Sequence, residues 1–248
     1  MSIEFKNLSK SYPTRQGRHY VFRDANFTIP SHKSVALFGV NGAGKSTLLR
    51  MLGGNEPADS GRVHLTGSVS WPVGLAGGFH VALSARENCQ FVLRIHGVRD
   101  EHLAATLDWV KRYSEIGKFF ELPMSALSSG MRSRVAFALS MSMPFDYWLI
   151  DEITAVGDAS FRDKSKQTLL AKKAAGSSFI MATHNIQEAL SLADSGIVVH
   201  GQQLQYFEDV TKAADAYRLI AYPDSQYVKS LVAQNAQPTP DGKSESLV

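Results

Sequence analysis

The residues best suited to chemistry in this sequence form one short run, Gly39-Val40-Asn41-Gly42-Ala43-Gly44-Lys45-Ser46-Thr47. Its spacing is G-x-x-x-x-G-K-S. The glycines let the backbone curl round an anion, so that successive N–H groups and the positive end of a following helix point at the same phosphates. Lys45 adds a mobile cation for the β and γ phosphates, and the Ser46 hydroxyl is a ligand for Mg²⁺. The run Ser34-Val35-Ala36-Leu37-Phe38 before it reads as a strand and Leu48-Leu49-Arg50-Met51-Leu52 after it as a helix. Strand, glycine turn and helix are the context the motif requires, so the chain is expected to bind a nucleoside triphosphate.

Other groups gain meaning from that loop. Tyr147-Trp148-Leu149-Ile150 reads as a buried strand ending in Asp151-Glu152. Alone, such a pair is the start of a loop. After a phosphate loop, Asp151 is expected to hold the Mg²⁺ shell, and Glu152, turned to the other face, to polarise an attacking water. A second apolar run, Ser178 to Thr183, ends on His184, which is placed to bond a γ-phosphate, although an isolated histidine there is more often structural. Ser128-Ser129-Gly130 opens a helical pattern and offers a second phosphate-binding end, though by itself it is only an N-cap. Tyr12 lies upstream of the phosphate loop in a turn-rich stretch, Ser9 to Gly17. By composition it is a surface loop residue, by position a candidate to stack on a base, with Tyr20 the weaker candidate.

The elements that must position these groups alternate in character. Residues 1–38 read as strands, with Ile3 and Phe5, and then, over Tyr20 to Ile29, Val21, Phe22, Ala25, Phe27 and Ile29, as half-buried faces. Residues 55–83 read as loop and short strands at 63–65 and 68–70. They include Trp71 to Phe79, glycine-rich and apolar together, which is either a docking surface or a buried connector. From Ser84 to about Ala138 the period turns helical. Ser84 and Glu87 form a capping box, and Phe91, Val92 and Ile95 are expected to be the buried face of the first helix. Leu103, Leu107, Val110 and Tyr113 line the second, and a third starts at Leu127. A strand at Ile197–His200 and an amphipathic helix near 210–222 follow. The polar stretch from Gln234 onward is expected to be disordered.

Composition sets the outer limits. With 248 residues, 44% of them hydrophobic, the chain can bury a full core, and a net charge of +3 gives no electrostatic case for nucleic acid. The lone Cys89 excludes an internal disulfide and fits a reducing compartment. The start lacks the apolar segment of a signal peptide, and no run approaches the ~18 apolar residues that span a bilayer. A cytosolic chain is expected.

The order of the pieces is itself informative. A phosphate loop, a helical insert ending in Leu127-Ser128-Ser129-Gly130-Met131, then Leu149-Ile150-Asp151-Glu152 and Thr183-His184 resembles the nucleotide-binding subunit of an ABC transporter over residues 2–220. That resemblance implies an α/β fold: a P-loop NTPase with a RecA-like core, an antiparallel β subdomain and a helical insert at about 84–145. It implies an ATPase domain over 1–222, with 223–248 a polar C-terminal tail. It implies a head-to-tail homodimer that sandwiches two ATP with Mg²⁺, the Lys45 loop of one copy facing Ser128, Ser129 and Gly130 of the other. Tyr12 would stack on adenine, Glu152 act as general base, Asp158 lie in the dimer-bridging loop and His184 touch the γ-phosphate. Two departures from the signature Leu-Ser-Gly-Gly-Gln are Ser129 and Met131. The glutamine that the family carries between phosphate loop and insert is missing between Gly61 and Glu87, and Gln90 falls inside a helix.

Within that family, the segments Gly17 to Phe22, Ser70 to Phe79, Ser128 to Arg134 and Asp151 to Asp158 are similar to ATPases of capsular polysaccharide exporters of Gram-negative bacteria. The resemblance implies a separate integral membrane permease, met through the Trp71 to Ile95 region, and a place on the cytoplasmic face of the inner membrane. It leaves no room for the carbohydrate-binding domain that O-antigen exporters often append. Alternatives are another polysaccharide exporter of O-antigen or teichoic acid type, a non-transport ABC ATPase acting on DNA or the ribosome, and a regulatory subunit that binds nucleotide without useful turnover.

Overall fold

The computed structural model describes residues 2–73, 78–151 and 158–228. Two compact units emerge, one of Met1–Thr66 and Ser178–Val248, the other of Gly67–Ser177.

The first unit is built on two sheets. β1 (Ile3–Thr14) lies between β2 (Gly17–Ile29) and β4 (Ser60–Leu65), both antiparallel to it, with Phe5 opposite Phe27 on one side and Val63 on the other. The turn-rich reading of 9–17 is corrected here. β1 continues to Thr14 and only Arg15-Gln16 turn, because Ser11, Tyr12 and Pro13 pair with Tyr20, His19 and Arg18. In the second sheet β3 (Val35–Phe38) runs parallel to both β6 (Ser178–Ala182) and β7 (Ser195–His200). β8 (Gln203–Phe207) pairs antiparallel with β7. All four residues of β3 are fully buried, the continuous apolar run expected of an interior parallel strand. Between β7 and β8, Gly201 and Gln202 both take positive φ, +56° and +65°, the combination a two-residue hairpin turn with matching twist needs. α1 (Lys45–Leu52), α6 (Ile186–Leu192) and α7 (Val210–Ala221) complete the unit. Past α7 the chain stays packed: Tyr227 donates to Asp215 (3.0 Å) and Val228 is buried. Residues 229–248 lie outside the described residues.

The second unit carries α2 (Ala85–Ile95), α3 (Asp100–Ser114), α4 (Ser129–Met141), β5 (Tyr147–Asp151) and α5 (Ala159–Ala174), with two short 3₁₀ turns at Gly117–Glu121 and Met124–Ala126. The strand expected at 68–70 is reduced to single bridges, Val69 beside Tyr147 and Val73 beside Ile150. Trp71 is half-buried and meets Phe145 edge-on at 5.4 Å, while Gly74–Gly77, the middle of the glycine-rich stretch, lies outside the described residues. Cys89 sits in the helical core, and burial pushes its thiol up to about 12, which leaves it inert.

Of the face assigned to α2 from sequence, Val92 packs against the helical core but Phe91 and Ile95 do not. Phe91 and Ile95 are 63% and 65% exposed, whereas Ala85, Asn88, Cys89 and Leu93 are buried. Apolar residues occur on both sides of this helix, so period alone could not choose between them. The deciding group is polar: the Asn88 amide donates to the carbonyls of His80 (3.1 Å) and Ser84 (2.9 Å) and accepts from His80 N (2.7 Å). Such a fully bonded amide can be buried at little cost, and it pins the 80–84 loop against the helix. The capping box of Ser84 and Glu87 is present.

One carboxylate joins two of these helices. Glu121 accepts from Arg86 Nε on α2 (2.8 Å) and from Lys111 Nζ on α3 (3.0 Å), and chiefly the Arg86 bond holds it at about 2, below its ordinary 4.5. A depressed carboxylate contributes stability that is complete above 4.5 and lost as pH falls toward 2. Its side chain is 45% exposed, so the contribution stays below about 1 kcal/mol. Glu121→Gln is therefore expected to lower the urea midpoint slightly at pH 7 and to match the parent at pH 2. A deficit that persists unchanged at pH 2 would contradict this account.

Candidate active site

In the first unit the phosphate loop leaves β3 and enters α1 within six residues. Gly44 is the N-cap of α1 with φ +113°, and Gly42 has φ +80°. A Cβ on Gly44 would stand 2.1 Å from Val21 Cγ1, and one on Gly39 2.9 Å from the Val199 carbonyl oxygen. Only glycine fits at either place, since one needs a left-handed backbone and both need close approach. Ala43 N donates to the Val40 carbonyl (3.1 Å) and Leu48 N to that of Gly44 (3.0 Å), which closes the curl. Lys45 Nζ donates into the same loop, to the carbonyls of Gly39 (2.6 Å) and Val40 (3.2 Å). Asn41, Gly42 and Ser46 are exposed, Ala43 and Lys45 half-buried, and Thr47 buried.

His184 is reached from β6, which pairs with β3 in parallel, Leu37 beside Ala182. The segments after the two strands therefore leave at the same, carboxyl end of the sheet, the edge where open α/β sheets bind ligands. His184 is exposed there, in a turn fixed by Asn185 N donating to Thr183 Oγ1 (3.0 Å). Tyr12 is half-buried on β1, and its hydroxyl is 3.4 Å from Thr47 Oγ1 of α1.

In the second unit α4 starts at Ser128, whose Oγ accepts from Met131 N (3.2 Å). Ser128, Ser129, Gly130, Arg134 and Asp158 line a cavity of about 550 Å³. Asp158 caps α5 by accepting from Phe161 N (3.0 Å) and is bound by Arg134 Nη2 (2.7 Å). The Phe161 N–H, ahead of Arg134, holds its carboxyl below the usual carboxylate range. Asp151 ends β5 half-exposed, after four buried residues. Glu152, the expected general base, lies outside the described residues.

The helix starts differ in a telling way. α2, α3 and α6 carry Glu87, Asp100 with Glu101, and Glu188 in their first turns, and α5 and α7 are capped by Asp158 and Asp209. Among the described α-helices only α1 and α4 have no carboxylate at the cap or in the first turn. A helix start with its N–H groups exposed and no anion of its own is left to attract one.

Sequence reasoning missed several partners of the candidate residues in each unit. Glu56 and Arg50 surround the Tyr12 hydroxyl, and Arg134 binds Asp158. The carboxylates Glu56 and Asp59 soon after α1 were the available signal; the stretch read only as loop.

The family model for ABC transporters matches residues 22–155. The chain belongs to the ABC transporter family. Polysialic acid transport ATP-binding protein KpsT of Escherichia coli is 47% identical over 218 residues, covering 88% of this chain and 96% of KpsT. Capsule polysaccharide export ATP-binding protein CtrD of Neisseria meningitidis serogroup B is 37% identical over 215 residues, 87% of this chain and 98% of CtrD. A solved dimeric ATP-binding cassette in a post-hydrolysis state with ADP and Pi has the same fold, with TM-score 0.73 at 21% identity, covering 84% of this chain and 98% of its own. The chain is thus an ABC ATPase domain, similar to capsular polysaccharide export ATP-binding proteins, and ATP hydrolysis is the activity expected of it. No helix among the described residues is long and apolar enough to cross a membrane.

The phosphate loop makes a direct prediction. Lys45→Ala is expected to weaken ATP binding about 10- to 100-fold, the range of a charge-assisted bond, with an unchanged circular dichroism spectrum. Equal affinity in equilibrium binding would remove Lys45 from the site.

Proposed function

We propose that this chain is the ATP-hydrolysing subunit of a capsular polysaccharide exporter, working as a homodimer on the cytoplasmic face of a bacterial inner membrane beneath a separate permease. The observation that carries the reading is the pair of helix starts without carboxylates, at the phosphate loop and at Ser128. Each suits the phosphates of one ligand, and two copies arranged head to tail supply both to each ATP. The similarity to KpsT and CtrD supports capsular polysaccharide as the substrate class.

Within each site the roles are those that the family resemblance implies and that the chemistry of the residues allows. The Gly39–Gly44 backbone and Lys45 neutralise the triphosphate, with Asn41, Gly42, Ala43 and Thr47 shaping the loop, and Tyr12 stacks on the adenine. Ser128, Ser129 and Gly130 of the second copy face the γ-phosphate, with Asp158 beside them. Ser46 and Asp151 offer a hydroxyl and a carboxylate, the oxygen donors a hard cation prefers, and would hold Mg²⁺, which supplies charge neutralisation when bound. Glu152 takes the proton of the attacking water, and His184 bonds the γ-phosphate and registers its loss. Closure on ATP and reopening after hydrolysis give the permease its power stroke.

The permease-facing surface is the apolar pair Phe91 and Ile95 on α2. With Glu87, Gln90 and Arg94 they line a shallow cavity of about 470 Å³. Two large side chains exposed this far at i and i+4 mark a contact surface. Their misreading as core is itself consistent with a face that is buried only in an assembly.

Two measurements test the reading. Glu152→Gln should still bind ATP, accumulate as an ATP-bound dimer and lose about 10²- to 10⁴-fold in turnover with its permease present. Unaltered hydrolysis would remove Glu152 from catalysis. Phe91→Glu with Ile95→Glu should lose co-purification with the permease and leave polymer inside the cell. Retained co-purification would place the permease elsewhere.

A further inference from the structure

Behind the phosphate loop the first unit holds a cluster of charged side chains that binding a triphosphate does not by itself require. After α1 the chain turns back along β1 through Asn55–Asp59. Glu56 there is 14% exposed and takes three donors: the Tyr12 hydroxyl, Arg50 Nε (3.0 Å) and Lys10 Nζ (3.1 Å). Lys10, 9% exposed, also donates to the Pro57 carbonyl (2.9 Å). Asp59 accepts from Ser11 N (2.7 Å) and from Arg18 Nη2 (3.4 Å). Consecutive residues Lys10, Ser11 and Tyr12 are thus all fastened to one loop.

The Tyr12 hydroxyl is the centre of this cluster. Besides Glu56 it lies 3.4 Å from Thr47 Oγ1, and Arg50 Nη2 reaches both, at 3.2 Å from Thr47 and 3.5 Å from Tyr12. Burial alone would push the Glu56 carboxyl up, but the bonds from Tyr12, Arg50 and Lys10 outweigh it and hold it below its ordinary value. Glu56 is therefore a carboxylate at neutral pH, and Lys10, Arg18 and Arg50 against Glu56 and Asp59 leave the cluster with one more cation than anion. Thr47 is the third residue of α1, the helix whose start carries the phosphate-binding N–H groups. The hydroxyl bond thus sets the tyrosine ring at a fixed place relative to the phosphate loop.

We infer that Glu56 is a positioning residue that holds the Tyr12 ring as the platform for the nucleotide base. This rests on reading Tyr12 as that platform. A base and its triphosphate are two ends of one ligand, so a ring free to swing costs affinity for the base end only. Stacking on an aromatic is worth enough that losing its alignment costs about fivefold to tenfold in affinity. The partners of Glu56 are Tyr12, Lys10 and Arg50, so it bonds the phosphate loop at none of them, and the phosphate end should be indifferent to its loss.

Full-length protein is compared for Mg²⁺-ATP and Mg²⁺-tripolyphosphate binding by calorimetry. Glu56→Ala is expected to lose about fivefold to tenfold for ATP and nothing for tripolyphosphate, and Glu56→Gln, which keeps an acceptor for the hydroxyl, to recover most of the loss. Tyr12→Phe deletes one oxygen and leaves the loop intact, so it carries the same test if Glu56→Ala does not fold. It should mimic Glu56→Ala, and the double variant should be no worse than either single. Equal weakening for both ligands would make Glu56 merely structural and overturn the inference. So would an unchanged ATP affinity in both Glu56→Ala and Tyr12→Phe while Tyr12→Ala loses ATP preference. If Tyr12→Ala itself keeps the full preference for ATP, the base-platform reading fails, and this inference with it.

Discussion

The left-handed turn at Gly44 is the constraint on which the site depends. β3 is wholly buried and can leave the sheet only at its carboxyl end, where α1 must begin almost at once. A side chain at Gly44 would collide with Val21 of β2, and one at Gly39 with the backbone of β7. The loop is therefore shaped by the strands that crowd it rather than by its own preferences. This crowding leaves the first N–H groups of α1 without a side-chain cap. What would be a defect in an ordinary helix is, in the function proposed above, the feature that receives the phosphates.

The same logic separates helices that complete themselves from those that do not. α2 closes its start with the reciprocal Ser84 and Glu87 bonds, and α5 with the Asp158 carboxylate. α4 uses only the Ser128 hydroxyl, a neutral cap that satisfies one N–H and adds no negative charge. Arg134, one turn further on, adds positive charge to the same cavity but is engaged by Asp158 and Glu115. Charge in this protein is thus arranged around helix starts, and a net +3 spread over the chain conceals it.

Much of this was legible because it rests on local rules. The phosphate loop, the buried strand into Asp151 and the capping box at Ser84 each follow from spacing within a few residues. What escaped depends on partners distant in sequence. Phe91 and Ile95 read as core because an amphipathic pattern shows where apolar residues lie and not which face meets a partner. The buried Asn88 settled the matter through bonds to a loop that periodicity does not see. Tyr12 was a candidate by its position alone, and the Glu56 that anchors its hydroxyl is 44 residues away. β8, α5 and α6 were not foreseen. β8 is exposed at alternate positions, and α5 carries so many polar residues that its buried Phe161, Ser165 and Leu169 make a thin stripe.

The central claim is that each ATP is held by the phosphate loop of one copy and the α4 start of another. Gly130 allows a clean probe, since an added Cβ there meets only Ser128 Oγ at 3.9 Å, so Gly130→Asp places a negative charge at that helix start without strain. Gly130→Asp and Lys45→Ala proteins, each expected to be inactive alone at an ATP concentration too low for Lys45→Ala to bind it, are mixed in equal amounts and their ATP hydrolysis measured at that concentration. The account predicts recovery toward about a quarter of the parental rate, because half of the dimers are mixed and each mixed dimer regains one intact site. A mixture that stays inactive while labelled copies demonstrably exchange, or a Gly130→Asp protein that is fully active alone, would contradict it.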